Sequence, residues 1–268
     1  MKNRYYINFA ILILAVFLGA CEKNAVDEHT APYTSGALIK FYTHAEGAPR
    51  VNFYLNDQRV TASAPTATDI PLGLAYGTSY PANGYLNVPS GDLTVAVMDT
   101  VTSATKGKAD LITTTSTRLD ESANYSAYLI GKTGSYETLV IKDNLPEDNF
   151  NRIYFRFVNT MADMPFNVDV VAFRPEVKAT ATSPAIPELR VPLGTNIGYK
   201  QFTDYAELPA GSYRFIFYKT GTTTVYANYP SATTTLGLTS LGRVYSFFLR
   251  GTYAAAPKAT NLDYWRER

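Results

Sequence analysis

The sequence predicts an all-β chain built from two tandem antiparallel β-sandwich modules, Ig-like or transthyretin-like. Three observations predict it: a residue vocabulary suited to strands, turn signals at short intervals, and a second half that repeats the first. Tyrosine (21) and phenylalanine (14) are abundant, and charged residues make up only 18% of the chain. Aromatic and β-branched side chains fit a pleated, half-buried surface. After the leader, no amphipathic helical pattern runs for three turns. Within each half, β-rich runs alternate with Gly, Pro, Asn and Asp clusters every 8–15 residues or so.

Residues 1–20 read as a signal peptide. Lys2 and Arg4 supply a positive start, and Phe9 to Ala20 is an unbroken apolar run. That run is shorter than the roughly 20 residues needed to span a bilayer. Small residues Gly19 and Ala20 precede Cys21, the only cysteine. The arrangement resembles a bacterial lipobox, in which the cysteine is acylated and becomes the new N-terminus. A lone cysteine forms no internal disulfide, so stability must come from the core. Acyl chains contribute about 0.8 kcal/mol per buried CH₂ and would hold the protein to a membrane. Glu22 stands where an inner-membrane retention aspartate would, which points to the outer membrane. Glu22, Asp27 and Glu28 also resemble the acidic export signals of Bacteroidetes surface lipoproteins. Residues 21–36, with Pro32 and few apolar side chains, read as a flexible tether. His29 lies in it and has no assigned role.

Shifting residues 85–131 by 120 positions exposes the repeat. Tyr85, Pro89 and Gly91 fall on Tyr205, Pro209 and Gly211. Thr113 to Thr115 fall on Thr233 to Thr235. Tyr125, Ser126, Leu129 and Gly131 fall on Tyr245, Ser246, Leu249 and Gly251. Upstream, Ile39-Lys40-Phe41-Tyr42-Thr43-His44 matches Phe155-Arg156-Phe157-Val158-Asn159-Thr160. The predicted modules are therefore 37–146 and 147–268, each a natural size for one sandwich. The polar stretch Lys142 to Asn149 is the expected boundary.

Inside each module a strand-like run follows the first strand: Val51 to Leu55, and Val168 to Val171. Next comes an Ala/Thr/Pro-rich stretch, Thr61 to Pro71 or Arg174 to Pro192, expected to be loop or irregular edge. Then Tyr85 to Val88 leads through Pro89-Ser90-Gly91 into Asp92 to Met98, with Tyr205 to Tyr218 as the counterpart. Proline presets the first turn position and glycine supplies positive φ, so the flanking runs are expected to pair antiparallel. Leu93, Val95 and Val97 face one side of their strand, as do Tyr213, Phe215 and Phe217. One apolar face per strand calls for a second sheet to cover it.

These residues resemble a bacterial secreted family, domain of unknown function 4397. The resemblance rests on the segment Thr43 to Pro49, on Gly73-Leu74-Ala75-Tyr76-Gly77 and on Val88-Pro89-Ser90-Gly91. The second copy keeps Leu208-Pro209-Ala210-Gly211 but lacks the Gly-Leu-x-Tyr-Gly element. The resemblance implies β-sandwich modules of envelope or secreted proteins, often in tandem, with no established activity.

Chemistry finds little foothold. With Lys+Arg 24 against Asp+Glu 23 there is no basic stripe for nucleic acid. A Ser-His-Asp arrangement needs an imidazole, and His44 reads as a loop or strand-end residue bonding locally. A zinc site needs three or four ligands, which the mature chain does not supply, and no phosphate-cradling glycine motif occurs. Asp143, Glu147 and Asp148 read as a solvated linker cluster. No cofactor, metal or catalytic residue is expected. Tyr76 and Tyr80, near Tyr85, and Tyr199 and Phe202, near Tyr205, lie in matching places. Such aromatics either contact a glycan or protein partner or plug the sandwich ends. The leading expectation is a non-enzymatic, lipid-anchored envelope protein displaying two modules for adhesion, binding or assembly. A glycan-binding accessory lipoprotein of a polysaccharide-uptake system and an envelope-polymer hydrolase are the alternatives.

Overall fold

The structure, a computed structural model, describes residues 35–61, 73–100 and 109–268. The leader, Cys21, the tether with His29 and most of the Thr61–Pro71 stretch lie outside the described residues. Among the described residues the first copy forms β1 (Ala37–Thr43), β2 (Val51–Leu55), β3 (Gln58–Arg59), β4 (Ser79–Tyr80), β5 (Leu86–Val88), β6 (Gly91–Asp99), β7 (Leu111–Leu119), β8 (Asn124–Lys132) and β9 (Ser135–Asp143). The second forms β10 (Ile153–Ala162), β11 (Val168–Arg174), β12 (Leu189–Ile197), β13 (Ala206–Leu208), β14 (Gly211–Lys219), β15 (Val225–Tyr229), β16 (Leu236–Leu238), β17 (Val244–Thr252) and β18 (Leu262–Arg266).

Each copy is a β-sandwich. In the first, the sheet β4-β1-β8-β9, with β5 also on β1, faces the sheet β3-β2-β6-β7. In the second, β13-β10-β17-β18 faces β12-β11-β14-β15, with β16 also on β14. Registers repeat as well. Ile39 pairs with Tyr125 as Phe155 pairs with Tyr245. Ala37 pairs with Val88 as Ile153 pairs with Leu208. The β1–β8 and β10–β17 pairs run parallel, so each sandwich is mixed rather than wholly antiparallel.

The two cores fill the same space with different residues. Phe53 sits opposite Val97 and Leu55 opposite Val95 in the first copy. In the second, Val170 sits opposite Phe217 and Ala172 opposite Phe215. The bulky member has moved across the ladder in both pairs, a volume-conserving exchange that a close-packed core tolerates best. All these positions belong to the buried clusters of their modules. Full burial of each large apolar side chain contributes about 1.5–3 kcal/mol.

Two local expectations need correction. The runs flanking Pro89-Ser90-Gly91 do not pair with each other. β5 adds to β1, whereas β6 pairs with β2 and β7; β13 and β14 part in the same way. The apolar face of the outgoing strand must look back at β1, so the two runs lie in opposite layers and the turn is a sandwich corner. The Arg174–Pro192 stretch is also not wholly irregular. Val177 and Ile186 form a bridge, and β12 begins at Leu189. Pro192 fits in β12 because it lies on an edge strand, beside a register shift, where a missing N–H costs no ladder bond.

Candidate functional site: the face between the modules

Strand alternation gives β1, β8, β10 and β17 a second face. Ile39, Phe41, Ala127 and Leu129 point into the first core, and Phe155, Phe157, Phe247 and Leu249 into the second. The residues between them point the other way, and they too are buried: Lys40, Tyr42, Ser126, Tyr128, Arg156, Val158, Ser246 and Phe248. They meet because the two central sheets pack face to face. Residues 35–268 thus form one compact unit. Tyr42, Tyr128, Ile130 and Ile141 of the first copy pack on Val158 and Phe248 of the second. Tyr42 stacks on Tyr128 with ring centroids 4.7 Å apart, and Phe248 lies 5.3 Å from Tyr42.

At the heart of this face are four buried charges. Arg156 places Nη1 2.6 Å from Asp143 Oδ1 and Nη2 3.7 Å from Glu267 Oε1. Its Nε donates to Ser246 Oγ at 2.6 Å and its Nη2 to Ser126 Oγ at 3.1 Å. Lys40 Nζ lies 3.5 Å from Glu267 Oε2 and donates to the Arg266 carbonyl. The Tyr42 hydroxyl donates to both Glu267 oxygens, at 2.7 and 2.8 Å. Asp143 Oδ2 accepts from Ser126 at 2.7 Å and from Tyr85 at 3.0 Å. Arg156 also lies 5.1 Å from the ring centre of Tyr205.

The four charges are two versions of one pair. Lys40 and Arg156 occupy equivalent positions in β1 and β10. Lys142 pairs with Tyr125 as Arg266 pairs with Tyr245, so the next residues, Asp143 and Glu267, are equivalent too. Each cation makes its nearest side-chain ion pair with the carboxylate of the other copy. This is the self-complementary pairing of a two-fold interface, realised inside one chain. Two cations against two carboxylates leave the set neutral, the condition for burying charge at tolerable cost. Burial pushes Asp143 up despite the pull of Arg156. Burial lowers Lys40, although Glu267 opposes it. Arg156 stays well above its ordinary value: burial works against its charge, and Asp143 and its other anionic neighbours outweigh that.

Asp143 is therefore not a solvated linker residue, as the sequence suggested. It ends β9, where strand alternation turns it into the interface. His44 is corrected likewise. It is fully buried, and its Nδ1 lies 2.9 Å from Oγ1 of Thr160, its own counterpart in the second copy. Thr160 donates onward to the Leu249 carbonyl at 2.9 Å. Equivalent residues touch only near the axis that relates the copies, so His44 and Thr160 mark that axis. The His44 ring is enclosed by Tyr42, Tyr128 and Phe248. Burial, then the charge of Arg250, hold its imidazole well below the ordinary histidine range.

Two of the four aromatics singled out from sequence flank this face. The Gly77 N–H donates to the Thr43 carbonyl as the Lys200 N–H donates to the Asn159 carbonyl, so Tyr76 and Tyr199 are equivalent. Each leans onto the other module. Tyr76 lies under Arg250, 5.4 Å from its ring centre, with Asn261 3.5 Å from its hydroxyl. Tyr199 donates to Glu137 at 3.0 Å, and Lys200 pairs with the same carboxylate. Burial, reinforced by Glu137, raises the Tyr199 hydroxyl. Tyr80, in β4, packs on the first core. Phe202 stays exposed beside Val158.

Lys40, Arg156 and Glu267 were missed by sequence reading. A signal existed in Ile39-Lys40-Phe41 and Phe155-Arg156-Phe157, a cation between two core residues in both copies. Among the described residues, several clefts are open to solvent. One, of about 380 Å³, lies where Ala82 and Asn83 meet β18 beside Tyr245, Tyr264 and Trp265. Another, of about 450 Å³, follows the edge strand β15 toward Pro257 and Leu262. Among the described residues no group of His, Cys, Asp and Glu is arranged to hold a metal ion.

Fold and face together define a two-module β-sandwich body. The chain belongs to the family described as Domain of unknown function (DUF4397), which matches residues 37–171, the first module and the opening strands of the second. No curated protein matches the chain. Among solved structures, it is similar to a CBM26-family carbohydrate-binding module, CBMbc of Eubacterium rectale Amy13K, solved in complex with maltoheptaose. That likeness has 9% identity and a TM-score of 0.25, over 80% of this chain and 93% of that one. It is also similar to the Bacillus anthracis TIE protein, at 9% identity and a TM-score of 0.22, over 82% of this chain and 34% of that one. Likeness at this level does not bear on ligands.

Proposed function

We propose that this is a non-enzymatic, lipid-anchored protein of the cell envelope, held at the outer membrane through Cys21, whose paired modules form a stiff platform for binding an envelope partner. The observation that carries the reading is where the reactive side chains are spent. His44 is sealed from solvent, and Asp143 and Glu267 are committed to Arg156, Lys40 and Tyr42. These groups join the modules, which supports a structural role for them. Photo-crosslinkers on the exposed outer strands, placed in living cells, test the platform by recovering a defined envelope protein. Turnover of an envelope polymer, abolished by substituting one carboxylate, would sink the non-enzymatic reading. Membrane fractionation and labelled-palmitate incorporation of Cys21→Ser test the anchor.

A second reading takes the partner to be an oligosaccharide. The cleft beside Tyr245, Tyr264 and Trp265 favours it, because aromatic walls with Asn83, Asp263 and Arg266 at hand suit a sugar's apolar faces and hydroxyls. A glycan array probed with the intact body, and again with Asn83→Ala and Tyr264→Ala, decides between the readings. Uniform silence on the array removes the glycan reading.

A further inference from the structure

The ends of this body are chemically unequal. The equivalent strands β1 and β10 run the same way, because Lys40 lies by Glu267 next to Arg156 while His44 meets Thr160 further along both. Ser35, the residues between the modules, and the turn before β17 consequently share one end. The Gly242 N–H donates to the Arg152 carbonyl there, and Arg268 reaches the Pro146 carbonyl. The β11–β12 connection shares this end too: Leu208 pairs with Ile153 at the start of β10, the chain turns into β14, and Phe173 pairs with Arg214 near the start of that strand.

Large apolar side chains are exposed unevenly between the ends. Phe150 is 76% exposed, Val177 49%, and Ile186 and Leu241 42% each. All four lie at the end where the described chain starts; among the described residues Leu111 (58%) and Val225 (45%) lie at the other end and Phe202 (43%) beside Val158 on the side. Exposed apolar residues that gather on one surface mark interaction sites, whereas scattered ones need no explanation. Only 13 residues lie between Cys21 and Ser35, a span of at most about 50 Å.

We propose that this end of the second module rests on the lipid surface, with Phe150 and Leu241 entering the headgroup boundary and Val177 and Ile186 exposed at the same end. The occupant is a bilayer because the chain leads from this end back to Cys21 within that short reach. The contact would fix the tilt of the body, which a single-point tether cannot do. This inference rests on the anchor reading above. Interfacial side chains of this kind enter roughly 5–10 Å into the boundary region.

The test uses the full lipidated protein in phosphatidylethanolamine–phosphatidylglycerol vesicles with brominated acyl chains. Three variants each add one tryptophan: Phe150→Trp, Leu241→Trp and, as a control at the opposite end, Leu111→Trp. The wild-type signal of Trp265 is subtracted. Blue-shifted, bromine-quenched emission at 150 and 241, with solvated and unquenched emission at 111, is the expected result. Equal, unquenched emission at all three positions, in protein that still floats with the vesicles, overturns the contact and leaves the anchor standing. Flotation and palmitate incorporation that persist in Cys21→Ser overturn the anchor instead. Capture of position 150 by a protein, with no lipid quenching, also counts against the proposal.

Discussion

Arg156→Met removes one of the four buried charges and nearly preserves side-chain length. Arg156 faces two carboxylates, 2.6 and 3.7 Å away, and also bonds two serine hydroxyls. A unit charge pair near 4 Å has about 4 kcal/mol of Coulomb energy at an effective dielectric of 20. The guanidinium's own desolvation offsets part of that. Breaking a buried pair from one side typically costs about 3–5 kcal/mol, because the partner is left uncompensated. For a body of this size that lowers the melting temperature by roughly 6–20 °C. Calorimetry and urea unfolding of the anchor-free body measure it. Arg156→Met/Asp143→Asn removes the orphaned charge as well, and should recover at least about 1 kcal/mol of the loss. Charge, as distinct from packing, leaves a pH signature. Without Arg156 the folded-state pKa of Asp143 rises further above its unfolded value. A carboxylate raised in this way takes up its proton preferentially in the folded state, so the mutational cost must shrink as pH falls through that pKa. A cost under about 1 kcal/mol, or one independent of pH, would refute the electrostatic account of the interface.

Other outcomes follow from the same geometry. Burial, then the charge of Arg250, holds His44 well below the ordinary histidine pKa of about 6.5, so its contribution is intact above that value and lost as pH falls below it, by up to about 1.4 kcal/mol per pH unit. In His44→Gln, urea unfolding between pH 7 and 5 should show a correspondingly flatter slope. Val97→Phe overfills the first core by about 1–3 kcal/mol, and Phe53→Val in the same chain should rescue it by copying the arrangement of the second module. Failure of rescue in calorimetry would show that the two cores are not interchangeable. Gly131→Ala places a Cβ 2.1 Å from the Ser135 carbonyl at a φ of +97°. It should lower the unfolding free energy from urea titration by more than about 2 kcal/mol. Its counterpart Gly251→Ala, at a φ of +84°, meets side-chain atoms of Tyr76, Asn261 and Glu46 and no backbone carbonyl, and should cost less.

Much of the fold could be read from residues because its determinants are local. The alternation in Leu93, Val95 and Val97, and in Tyr213, Phe215 and Phe217, identifies core faces directly. The interface was not legible for a definite reason. Alternation says that Lys40 and Arg156 face away from the core, but not whether water or a second module lies beyond. The equivalence of Asp143 and Glu267 was hidden by spacing. The short turn Thr133–Gly134 joins β8 to β9, whereas a longer connection through Ala259–Asn261 joins β17 to β18, so the ungapped alignment ends before the last strand. Pairing across the Pro-x-Gly turns went astray because turn chemistry dictates reversal, not the layer in which the outgoing strand lands.

Tandem sandwiches suggest a stalk in which each added module lengthens the reach. The shared direction of β1 and β10 makes this protein something else. A nine-residue strand is about 30 Å long, and two modules packed side by side stand no taller than one. Duplication here adds breadth: among the described residues, the turn Thr133–Gly134 of the first copy and the turn at Gly221 of the second lie at the same end. A partner broad enough to span this end would engage both modules at once.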